Sequence, residues 1–167
     1  DTGPEIARSA IKITPQSTAS SVHDALSTLG AGMIVEALNK LAAKGALSHA
    51  PQSLDGVTYA HLLKKDDGKI NWNQSAAEID RQIRALNPWP GVYGFLPGGA
   101  RLKILAAAPG AGAVTGKPGT LTDAQGHVVC GDGTVLQLLQ VQPDNARPMD
   151  IKAALNGRAL APGMVLE

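Results

Sequence analysis

The spacing of apolar residues changes character near Leu47. Before it, apolar side chains recur at helical intervals; after Tyr59 they come in short runs broken by Gly, Pro and Asp-Gly turns. In the first stretch, Ile6 to Ile13 alternates apolar and polar and predicts a strand. Ser17 to Ser21 offers several N-caps for a helix from about Val22 to Leu29. Gly30 and Gly32 interrupt, and Met33 to Lys44 resumes with Ile34, Leu38 and Leu41 on one face. Gly45 stands at the position of a C-cap glycine. One strand and two helices carry apolar faces without a sheet to cover them, so residues 1–46 read as the tail of an α/β domain whose sheet lies outside this chain or is replaced by another molecule. Residues 47–58, with Pro51, Ser53 and Gly56 and no sustained period, read as a linker.

From residue 59 to 167 the pattern predicts a small closed barrel, mainly β, with one or two short helices. Ser75 and Glu78 have the spacing of a capping box, and Ile79, Ile83 and Leu86 continue it as an amphipathic helix. Strands are predicted at Val92–Leu96, Arg101–Ala107, Gly119–Thr122, His127–Cys130, Val135–Val141 and Met164–Leu166, and a short helix at Asp150–Asn156. The Gly- and Ala-rich run Pro109–Pro118 reads as a hairpin loop, since it lacks the Lys-Ser/Thr ending of a phosphate cradle. Between the capped helix and the first strand lies Asn87-Pro88-Trp89-Pro90-Gly91, a rigid corner because each proline disfavours the α conformation before it. A Trp between two prolines is expected to plug the core beneath the loop; a stacking or partner surface is the alternative.

Composition narrows the class. The chain has 167 residues and a net charge of +1, and residues 59–167 carry 11 Lys/Arg against 9 Asp/Glu. That bias does not by itself indicate a nucleic-acid partner. No apolar run approaches a membrane span, and the chain lacks a leader and an initiator Met, so it is expected to be a cytoplasmic piece that starts in mid-sequence, monomeric and without a membrane partner. A single Cys, Cys130, excludes an internal disulfide and reads as a buried, inert thiol. His23, His49, His61 and His127 show no ligand spacing, and no metal is expected. Asp1-Thr2-Gly3 has the letters of an aspartic protease motif but is followed by Pro4 and has no second copy. Arg81 and Arg84 are three apart on the predicted helix, and Arg101 and Lys103 alternate on a strand. The two pairs are candidates for phosphate contacts.

Arg84-Ala85-Leu86-Asn87-Pro88-Trp89-Pro90-Gly91, after Asp67-Gly68-Lys69-Ile70-Asn71-Trp72, resembles the C-terminal domain of folate-dependent formyltransferases, methionyl-tRNA formyltransferases in particular. Asp1-Thr2-Gly3-Pro4 is similar to a catalytic-domain segment. Leu138–Pro143 with Arg147-Pro148-Met149 is similar to the last barrel strand and its exit loop. The resemblance implies an OB-like barrel preceded by a remnant of a Rossmann-like formyltransferase domain. It further implies 10-formyltetrahydrofolate as formyl donor and initiator methionyl-tRNA as acceptor in translation initiation, bound through Arg81, Arg84, Arg101 and Lys103. Asp1 then corresponds to the carboxylate that works with an Asn and a His, both of which precede this point in the family, so the chain alone is expected to be inactive. Asp144-Asn145-Ala146 departs from the family's small residue, Gly and Lys, which removes one basic contact. An amino-sugar formyltransferase, sharing the Trp-Pro-Gly corner and the Cys-Gly-Asp-Gly turn, is the alternative within the family. A stand-alone oligonucleotide-binding barrel is the alternative outside it.

Overall fold

The computed structural model describes residues 2–167 and divides the chain into two compact units, one ending at Leu62 and the other Leu63–Glu167. The first is built on a single helix, α1 (Ala19–Lys44). Thr18 caps it reciprocally with Ser21: the Ser21 N–H donates to Thr18 Oγ1 at 3.2 Å and the Thr18 N–H to Ser21 Oγ at 2.9 Å. Gly45 ends it in the left-handed region, φ 71°, with its N–H on the Leu41 carbonyl.

The expected break at Gly30 and Gly32 does not occur. A mid-helix Gly costs only about 1 kcal/mol, and Ala, Leu, Met and Glu on either side carry the helix through. The expected strand at residues 6–13 is also absent among the described residues. A strand needs a partner along its length, and here only Glu5 finds one, exchanging backbone hydrogen bonds of 2.8 and 2.9 Å with Ala50. No residue of α1 is buried, and Ile34, Val35 and Leu38 are each more than half exposed.

The second unit is an antiparallel sheet of β1 (Tyr93–Phe95), β2 (Arg101–Pro109), β3 (His127–Val129), β4 (Val135–Pro143) and β5 (Met149–Asp150), in the order β1-β2-β4-β3 with β5 also on β4. Residues 119–122 and 164–166, expected as strands, contribute single bridges instead. They run from β3 back to β1: Leu121 bridges Val128, Thr120 bridges Val165, and Phe95 and Glu167 exchange both backbone hydrogen bonds. The laddered sheet is therefore open, and these bonds connect its two edges.

Helix α2 (Ala76–Leu86) closes one end of the sheet. Ser75 and Glu78 form the expected capping box, and Ile79 and Ile83 are buried against Leu102, Ile104 and Leu138 in the core. A short helix α3 (Ile151–Asn156) follows β5, its first turn capped by Asp150, which accepts from the Ala153 N–H at 2.7 Å. Gly131 lies so close to the Asn73 carbonyl that a Cβ would collide with backbone, so the Cys-Gly-Asp-Gly turn tolerates only glycine there.

The corner after α2 is held by Asn87. Its Nδ2 donates to the Ile104 and Leu105 carbonyls at 3.0 and 3.2 Å, and its Oδ1 accepts from the Val92 N–H at 3.3 Å. The Asn87–Pro88 and Trp89–Pro90 peptide bonds are both cis, and Gly91 turns the chain at φ 86°. Trp89 is not the expected core plug. It is 59% exposed, while the Trp that fills the core is Trp72, 5% exposed. The corner's tie is polar, made by the Asn87 amide, so no indole is needed beneath it. Replacing Trp89 with Ala should therefore cost about 1–2 kcal/mol, from the part of the ring that is covered. Chemical denaturation checks this, and a loss of ~4 kcal/mol would place the ring in the core.

Candidate nucleic-acid interface

Alternation along β1 and β2 puts their even and odd residues on opposite faces. Gly94, Leu102 and Ile104 look inward. Tyr93 lies opposite Lys103 and Phe95 opposite Arg101, so these four share the other face. Lys69 joins them through a parallel bridge to Tyr93, with the Ile70 N–H donating to the Tyr93 carbonyl at 2.8 Å.

On this face two cations rest on two aromatic rings. The Arg101 guanidinium carbon is 4.2 Å from the centroid of Tyr93, and Lys69 Nζ is 5.3 Å from that of Phe95. The rings meet edge to face, centroids 5.6 Å apart. A ring quadrupole orients a cation without cancelling its charge, whereas a carboxylate partner does both. Among the described residues, Arg8, Lys40 and Arg84 form ion pairs with Glu5, Glu36 and Asp80; no such pair involves Lys69, Arg101 or Lys103. Three positive charges are thus presented on one sheet face, two of them pre-oriented.

Arg81 and Arg84, expected as a pair, stand in different surroundings. Arg84 Nε lies 2.9 Å from Asp80 Oδ2, both side chains largely covered, while Arg81 is exposed. Asp80 is one turn before Arg84, an i,i+4 arrangement that draws the guanidinium back along the helix. Arg101 and Lys103 do share a face, as alternation predicts. Lys69, Tyr93 and Phe95 complete it; in the sequence Lys69 is one of ten basic residues that are candidates for an RNA-facing surface, and the two aromatics have no site role there. The signal that could have found them is the strand pairing, since a Tyr-x-Phe alternation beside an Arg-x-Lys alternation in an antiparallel pair stacks aromatics on cations.

Asp1, expected to be catalytic, lies outside the described residues. No group of three or more His, Cys, Asp or Glu stands close enough to hold a metal among the described residues. No helix there is long and apolar enough to cross a membrane. Cys130 is buried, its Sγ donating to the Val128 carbonyl at 3.6 Å, and burial pushes its pKa up from 9.0 to about 11. Its thiolate is then roughly a hundredfold scarcer below pH 9 than that of an ordinary thiol. Ellman's reagent should label the native protein at least ~100-fold more slowly than the guanidinium-unfolded chain; equal rates would show that the thiol is accessible.

Residues 62–159 match the family model of the formyl transferase C-terminal domain. Methionyl-tRNA formyltransferase of Paramagnetospirillum magneticum is 44% identical over 168 residues, covering 99% of this chain and 53% of the relative. Those of Jannaschia sp. and Roseobacter denitrificans are 42% and 40% identical, covering the whole chain and 53% and 52% of the relatives. The chain thus spans about half the length of the curated relatives it matches. A solved structure of a HypX variant from Aquifex aeolicus shares the fold with a TM-score of 0.65 at 19% identity, covering 94% of this chain and 29% of that one. With the capped helix, the Asn87 corner and the antiparallel sheet in place, the chain belongs to the formyl transferase C-terminal domain family.

Proposed function

We propose that this chain is the C-terminal part of a methionyl-tRNA formyltransferase. In this reading it contributes the tRNA-binding surface to an enzyme that moves a formyl group from 10-formyltetrahydrofolate to the amino group of initiator methionyl-tRNA. The names of the relatives support the enzyme class. The observation that carries the tRNA role is the β1–β2 face, where Lys69, Arg101 and Lys103 stand without carboxylate partners and two of them are braced by Phe95 and Tyr93. Such a surface contacts phosphates and fixes orientation while reading little sequence.

Formyl transfer requires an amine that has lost its proton and a donor for the oxyanion of the tetrahedral intermediate. The resemblance assigns the proton to Asp1 together with an Asn and a His, which are not in this chain. The chain by itself therefore binds tRNA and does not formylate it. Incubating the purified chain with methionyl-tRNA and 10-formyltetrahydrofolate should give no product above a buffer control, while filter binding detects salt-sensitive tRNA capture. Product formation would overturn the division of labour, and salt-independent binding would overturn the phosphate role of the face.

A further inference from the structure

Beside the cation-bearing face the second unit carries an open groove of about 500 Å³, formed by Lys69–Asn73, Lys117–Pro118 and Val165–Glu167. Its size suits a small ligand with a polar end. Ile70, Trp72 and Leu166 form its apolar floor, and all three are almost fully covered. The Trp72 indole Nε1 is buried and makes no hydrogen bond. Lys69 and Lys117 stand along the groove with two amides, Asn71 and Asn73.

The amides are already ordered relative to one another. Asn71 Oδ1 accepts from both the backbone N–H and the side-chain Nδ2 of Asn73, each at 3.1 Å. That arrangement leaves Asn71 Nδ2 as a donor and Asn73 Oδ1 as an acceptor for a ligand, both residues being exposed. A Watson–Crick edge carries both donors and acceptors and is open to such amides only when the base is unpaired. Glu167 adds a carboxylate that accepts from base amino groups, and Lys69 and Lys117 are the groove's groups for a phosphate.

Lys69 is common to the groove and to the cation–aromatic face, where it sits over Phe95. A strand whose backbone lies along Arg101 and Lys103 therefore reaches the groove without a gap in positive charge. We propose that the groove takes one unpaired nucleotide of the bound RNA, with its base at the Asn71 and Asn73 amides above the Trp72 floor and its phosphate on the groove's lysines, Lys69 and Lys117. This rests on the RNA-binding reading given above and adds to it a preference for single-stranded over fully paired RNA.

Trp72 supplies the readout. The chain has two Trp, so Trp89→Phe leaves Trp72 as the sole indole. This protein is titrated with a single-stranded ribo-octanucleotide and with a blunt RNA duplex of the same length. The single strand should quench Trp72 emission, and the duplex should bind without quenching. Lys117→Ala, on an exposed loop, should weaken the single strand roughly fivefold at ~0.1 M salt, the share of one phosphate contact, and leave duplex binding unchanged. Asn73→Ala should weaken the single strand alone and reduce discrimination among homopolymers. Unchanged Trp72 emission with bound single strand, or Lys117→Ala binding both RNAs as wild type does, overturns the groove while leaving the face intact. Failure of both RNAs to bind overturns the RNA reading itself.

Discussion

Reversing Arg101 and Lys103 together to Glu is expected to lower tRNA affinity about a hundredfold at ~0.1 M salt. Each phosphate neutralised contributes roughly 0.9 to the slope of log affinity against log salt, so two contacts account for nearly two decades between ~0.1 M and ~1 M salt. With Lys69 as the third cation, the wild-type slope should be about 3 and that of the double variant about 1. The fold should survive, because neither residue is paired with a carboxylate and exposed charges add little to stability.

Replacing Tyr93 with Leu separates charge from orientation. The guanidinium remains but loses the ring that braces it, so the slope should hold near its wild-type value while affinity falls a few-fold, the worth of about 0.5–1 kcal/mol for a cation–π contact whose cation is exposed on a buried ring. Reversal of Arg84, tied to Asp80, should do less than reversal of Arg101. If the Arg101/Lys103 double variant binds tRNA as tightly as wild type with an unchanged slope, the β1–β2 face is not the contact surface.

Trp72→Ala is expected to destabilise the second unit by about 3–5 kcal/mol, the largest loss available from a single side chain in this core. Two backbones limit collapse into the hole. A Cβ on Gly94 would come within 3.5 Å of Trp72 Nε1, and a Cβ on Gly119 within 3.4 Å of its Cδ1, so both segments already lie against the ring. These are the segments that join the two edges of the sheet: Gly94 belongs to β1, and Gly119 donates to Val129 and accepts from Leu166. Removing the indole therefore loosens the connection between edges as well as the core.

Trp72→Phe should cost much less. It leaves a smaller void and removes a buried N–H that has no protein acceptor, a group whose burial costs about 1–3 kcal/mol. Urea denaturation of both variants measures the difference. A Trp72→Ala midpoint close to wild type would mean that the ring is peripheral, and a Trp72→Phe loss as large as that of Ala would mean that Nε1 finds an acceptor.

Local chemistry made much of this molecule legible from the sequence. Ser75 with Glu78 and Gly45 after Lys44 marked helix ends correctly, because a cap is satisfied within about one turn of chain. The alternation of Arg101 and Lys103 was readable for the same reason. What failed were inferences about partners distant in sequence. Ile6–Ile13 has the period of a strand but no second strand to pair with among the described residues, and Gly30 and Gly32 proved too inexpensive to break a helix supported on both sides. Trp72 and Trp89 both sit near prolines, glycines or Asn in turn-like surroundings, and only the closure of 163–167 onto β1 decides that the first is enclosed and the second exposed. Of the two cations, Arg84 has its carboxylate, Asp80, within one helical turn, a local signal, whereas Arg101 gains Tyr93 only through the register of two strands, which is set by pairing across the sheet.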